Sequence, residues 1–100
     1  MYRILVVEDD EVIAKTIRQH LQSWNYEVYA VVDFNSVMEE FARVKPHLVL
    51  MDIRLPFHNG FYWCTEIRKV SKLPIIFVSS MNDNMNLVMA VSYTHLTLPT

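Results

Sequence analysis

Residues 48–56 read LVLMDIRLP. Four apolar residues run straight into Asp52, and Leu55-Pro56 follows. A short apolar run closed by a proline turn reads as a strand buried on both faces. A carboxylate at the end of such a run is costly unless it is put to use. The stretch therefore predicts a strand, HLVLM, that delivers Asp52 at its carboxyl end. The loop IRLPFHNG follows, with turn chemistry in Pro56, Asn59 and Gly60.

Working outward, RILVV (residues 3–7) is a second buried strand. EDDEVIAKTIRQHLQSW follows it. Ile13, Ile17 and Leu21 recur four apart with Trp24 three further on, and Lys15, Arg18, Gln19 and Gln22 fill the other face. This is an amphipathic helix, with Asp9 or Asp10 placed to cap or favour its start. NYEVYAVV is a strand. DFNSVMEEFARV is a helix with Val37, Met38, Phe41 and Val44 inward, a cap from Asp33, Asn35 or Ser36, and a stop at Pro46. After the Asp52 loop, FYWCTEIRKVSK is a helix with Cys64, Ile67 and Val70 along one face. PIIFVSS is a fourth strand ending in hydroxyls, and MNDNMNLVMAV reads as a polar turn and a weaker helix. Strands alternating with helices predict a parallel α/β sheet with helices on both faces.

Composition narrows the function. One hundred residues, 52% of them hydrophobic, suit one small packed domain. A net charge of −2 gives no electrostatic footprint for nucleic acid. The single cysteine, Cys64, rules out an internal disulfide and a cysteine zinc cage, and reads as a small buried hydrophobe. The lone glycine, Gly60, excludes P-loop and dinucleotide fingerprints. The amino-terminal apolar run is too short for a signal peptide or a membrane span, so a soluble cytoplasmic protein is expected. His20, His47 and His58 lack ligand spacing and read as surface or core residues.

In a parallel sheet the carboxyl ends of the strands lie along one edge, where ligands bind. The first strand brings Glu8, Asp9 and Asp10 there, the third Asp52, and the fourth Ser79 and Ser80. Each piece has a plain structural use alone: acids favour a helix start, and hydroxyls end strands or cap helices. Together they form a cluster of carboxylates that must either protonate or share a cation. Oxygen-only ligands select a hard cation such as Mg²⁺. A carboxylate beside that cation is a nucleophile able to form an aspartyl-phosphate.

The stretches ILVVEDDE, LVLMDIRLP with the following NG, and PIIFVSS resemble, in order and spacing, the receiver domain of bacterial two-component response regulators, over about residues 2–90. The resemblance implies a flavodoxin-like doubly wound parallel sheet in the order 2-1-3-4-5. It implies Asp52 as phospho-acceptor, with Glu8, Asp9, Asp52 and the main-chain carbonyl of Arg54 as Mg²⁺ ligands. Ser79 matches the switch hydroxyl and Ser80 the small residue that leaves phosphoryl access. Pro56 and Gly60 match the loop that shapes the acceptor's surroundings. The implied partner is a sensor histidine kinase, and the implied output is transcription through a DNA-binding effector domain absent from this chain. A homodimer through the receiver in the intact protein and no membrane contact complete the expectation. ILVVEDD and MDIRLP are most similar to regulators carrying a winged-helix domain, of the antibiotic-sensing kind.

The family pattern continues with a fifth strand ending in a lysine, then a fifth helix. Here the chain reads SYTHLTLPT after Val91, with no lysine. VSYTHLTLPT can be encoded by GTC TCT TAT ACA CAT CTG ACG CTG CCG ACG, which looks like a transposon adapter used in sequencing libraries. The expected organisation is thus a partial receiver over residues 1–91, truncated after the fourth strand and part of a fourth helix, and a non-native tail over 92–100. Tyr93 and His95 then carry no function. The fourth strand is expected to present an open apolar edge and the fragment to be unstable or to aggregate.

Two other readings compete with the phosphorylation switch, which is not a dedicated enzyme. An Asp-nucleophile phosphatase of the haloacid dehalogenase type needs a second acid two residues after the nucleophile, where this chain has Arg54. A degenerate, phosphorylation-independent interaction module would be expected to lose an acid, yet Glu8, Asp9 and Asp52 are all present.

Overall fold

The structure is a computed structural model that describes residues 1–82 and 85–91, with side chains through residue 78. In chain order the elements are β1 (Arg3–Val7), α1 (Glu11–Ser23), β2 (Glu27–Ala30), α2 (Val37–Val44), β3 (Leu48–Asp52), α3 (Gly60–Arg68), β4 (Ile75–Asn82) and β5 (Met85–Val91). One sheet has the order β2-β1-β3-β4-β5. The first four strands are parallel.

Alternation along the strands divides the core in two, because successive side chains point to opposite faces. Leu5, Val7, Val49, Met51, Ile75 and Phe77 face α2 and α3, meeting Val37, Phe41 and Val44 from one and Trp63, Cys64 and Ile67 from the other. Ile4, Val6 and Val28 face the opposite way, against Ile17 and Leu21 of α1. The sheet is therefore doubly wound. The helix starts follow local chemistry. Asp10 caps α1 by accepting from the Val12 and Ile13 amides, at 3.0 and 3.2 Å. Asn59 caps α3 by accepting from the Tyr62 amide at 2.9 Å. Ser36 occupies the cap position of α2 without a side-chain cap bond. Lys45, in the left-handed region at φ 52°, ends α2 one residue before Pro46.

Three expectations are corrected. Trp24 is 68% exposed and Val70 67%, because both lie just past the ends of their helices and the inward stripe stops before them. The weaker fourth helix is instead β5, antiparallel to β4, with Ile75 opposite Val91 and Ser79 opposite Leu87. Leu87–Val91 is a continuous apolar run rather than a helical stripe, and it lies beside the unpaired edge of β4. Only two residues separate the strands, too few for the crossover a parallel pair needs, so the pairing is antiparallel. The open edge expected at β4 is consequently paired. The tail over 92–100, with Tyr93 and His95, lies outside the described residues.

Candidate functional site

The register of β1 on β3 builds the site. Val7 pairs with Met51, so the next residue on each strand, Glu8 and Asp52, comes to the same carboxyl edge. Both are buried, at 6% and 5% exposure, while Asp9 is exposed. Each of Glu8, Asp9 and Asp52 offers an oxygen, and these oxygens lie within 4.8 Å of one another. This trio is the one cluster of potential metal ligands found among the described residues.

Neighbouring backbone fixes the carboxylates. The Asp10 amide donates to Glu8 Oε2 at 3.0 Å. The Arg54 amide donates to Asp52 Oδ1 at a long 3.4 Å. Asp10 is thus the helix cap, while Glu8 and Asp9 are left to face Asp52, which separates roles that the run of acids leaves undivided. Gly60 packs closely against the Asp52 backbone. A Cβ at Gly60 would stand 2.2 Å from the Asp52 carbonyl oxygen and 2.9 Å from Met51 Cγ, so only glycine fits. The Gly60 amide donates to the Ile53 carbonyl at 2.8 Å, tying the start of α3 to the end of β3.

Burial dominates the electrostatics. It pushes the Glu8 carboxyl up to about 8, with the Asp10 amide opposing and the Asp52 charge and hydrogen bond adding to the rise. Burial also raises Asp52, while hydrogen bonds from Glu8 and from the Arg54 amide pull it back. Glu8 therefore holds a proton near neutrality and donates it to the Asp52 carboxylate. Three converging carboxylates, one compelled to keep a proton, are a donor set that a hard divalent cation satisfies by taking the proton's place. The residues present fit Mg²⁺.

Of the other expected site residues, Arg54 and Pro56 are exposed in the β3–α3 loop. Ser79 follows Val78, the partner of Asp52 across β3 and β4. The side chains of Ser79 and Ser80 lie outside the described residues. His47 is a backbone acceptor, with Nδ1 taking the Arg3 amide at 2.9 Å. His58 stacks on Tyr62 at 3.9 Å. Sequence reasoning did not foresee a cleft of ≈ 340 Å³ shared by Glu8 and Asp9 with Lys15 and Arg18 of α1. The only signal was their three-residue spacing, which usually marks a solvated helix face. No helix among the described residues is long and apolar enough to cross a membrane.

A family model described as the response regulator receiver domain matches residues 4–95. An uncharacterized transcriptional regulatory protein of Bacillus subtilis, YvcP, is 55% identical over 91 residues, which are 91% of this chain and 38% of that protein. The chain thus spans about two fifths of the length of the curated relatives it matches. The amino-terminal domain of NsrR, a nisin resistance regulator, is 46% identical with a TM-score of 0.75, covering 87% of this chain and 74% of that one. TrrA of Thermotoga maritima, in complex with Mg²⁺-BeF, is 30% identical with a TM-score of 0.75, covering 83% and 73%. In complex with the histidine kinase ThkA, TrrA matches at 31% identity with a TM-score of 0.73, covering 82% and 72%.

Proposed function

The chain belongs to the response regulator receiver family, and from that premise we propose that Asp52 accepts a phosphoryl group from a sensor histidine kinase and so switches an output. The observation that carries the proposal is the meeting of Glu8, Asp9 and Asp52 at the edge of β1 and β3. In the transfer an Asp52 oxygen forms the new bond to phosphorus as the bond to the donor breaks. Glu8, Asp9, Asp52 and the Arg54 carbonyl would hold Mg²⁺, which supplies positive charge for the phosphoryl oxygens. The Arg54 amide and the close packing of Gly60 hold Asp52 in place for attack. The family resemblance assigns Ser79 as the switch hydroxyl and Ser80 as the small residue that leaves phosphoryl access.

The solved complexes of TrrA with Mg²⁺-BeF and with ThkA support a cation and a kinase as partners for a chain of this family. YvcP's description as a transcriptional regulatory protein supports transcription control as the output. A DNA-binding domain, a receiver homodimer and a cytoplasmic location in the intact protein are further parts of the proposal. The role is that of a switch rather than a dedicated enzyme. Incubating full-length protein with Mg²⁺ and acetyl phosphate tests it by mass spectrometry. One phosphoryl group is expected on the parent and none on Asp52→Ala; a mass increase that persists in Asp52→Ala refutes the assignment.

A further inference from the structure

The cleft beside the acid trio has a composition of its own. Lys15 and Arg18 stand one helical turn apart on α1, and Val31 and Phe34 line the cleft from the segment joining β2 to α2. Among the described residues neither cation makes an ion pair, although Glu11 lies four residues before Lys15 and also borders the cleft. Two unpaired cations and apolar lining, in a space of ≈ 340 Å³, suit a small organic anion with an aliphatic part. Because Glu8 and Asp9 belong to both, a molecule in the cleft lies beside the phosphoryl-transfer site.

We propose that this cleft is the leaving-group subsite for small acyl phosphate donors, and that Lys15 and Arg18 are donor-specificity residues. The inference rests on Asp52 as the acceptor. An Asp52 oxygen bonds to phosphorus, the bond from phosphorus to the acyl oxygen breaks, and its electron pair departs on a carboxylate; no proton moves. Lys15 and Arg18 pair with the charge that develops on that carboxylate, and Val31 and Phe34 pack against the acyl carbons. A donor whose leaving group is ammonia makes neither interaction.

The test compares acetyl phosphate with phosphoramidate on full-length protein in Mg²⁺, following the rate of phosphorylation by mass spectrometry. The double variant Lys15→Ala/Arg18→Ala is expected to lose about three- to tenfold in rate with acetyl phosphate, the range for two partly exposed charge pairs. Its rate with phosphoramidate is expected to stay within about twofold of the parent, on the same ground. Gln19→Ala, an exposed α1 position outside the cleft, serves as the control with both donors. Equal losses with the two donors, or no loss with either, overturn the subsite. Beryllofluoride binding by the double variant verifies that the Asp52 site is intact. A parent that takes phosphate from neither donor overturns the Asp52 reading itself, and this inference with it.

Discussion

Replacing Gly60 with alanine places a methyl group 2.2 Å from the Asp52 carbonyl oxygen. Ordinary contact begins at 3.4 Å, so backbone must move by about 1 Å. Neither partner yields easily: Asp52 closes β3 on its ladder with β4, and the Gly60 amide is bonded to Ile53. Overpacking of this kind costs about 1–3 kcal/mol. The opposing gain in helix propensity is at most about 1 kcal/mol, and less at a first helical position. The clash wins, and Gly60→Ala is expected to be destabilised by about 1–2 kcal/mol, a fall of roughly 5–15 °C in Tm for a domain of this size. The functional loss should be larger. A displacement of about 1 Å at a reacting group costs on the order of a hundredfold in rate. Urea unfolding and phosphorylation by acetyl phosphate measure the two effects on one preparation of full-length protein. An unchanged or raised Tm together with an undiminished rate would refute the role given to Gly60.

Between the ordinary Glu8 value of 4.5 and about 8, the folded chain keeps a proton that the unfolded chain has released. Metal-free stability should therefore fall as pH rises through that window and level off above it. The raised Asp52 acts in the same sense. Denaturant titrations in chelator at pH 5, 6.5 and 8 check this, Glu8→Gln should flatten the slope, and a rise in stability across the window would contradict the sign. Phe57 sits at φ 71° in the left-handed region and is 71% exposed, so Phe57→Gly relieves strain with little packing lost. A stabilisation of about 0.5–1 kcal/mol is expected, read as an increase in Tm. Asp10→Ala removes the acceptor for the Val12 and Ile13 amides and should cost about 1 kcal/mol in urea unfolding.

Much of this architecture could be read from sequence because local and global signals agree. β1 and β3 are short apolar runs that lead straight into acids, so strand identity, direction and the site's location come from the same residues. The α1 stripe of Ile13, Ile17 and Leu21 is equally plain. What could not be read depends on contacts across the sheet. Whether Asp9 or Asp10 caps α1 is settled by backbone geometry after Glu8, which no residue type specifies. Val70 and Trp24 continue a helical period that their helices do not reach. The apolar residues of β5 fit a helix or a strand, and the free edge of β4 decides between them. Lys15 and Arg18 look like ordinary solvated residues until the segment after β2 folds over beside them.

The pairing of β5 with β4 also bears on self-association. Strand addition needs an edge with unpaired amides and carbonyls. The long apolar strand β4 is enclosed between β3 and β5 and offers no such edge. The outer strands are β2, only four residues long and bearing Glu27, and β5. Growth of ordered aggregates through the folded chain should therefore begin at the Met85–Val91 strand, and its rate should follow changes in that segment rather than in Ile75–Val78.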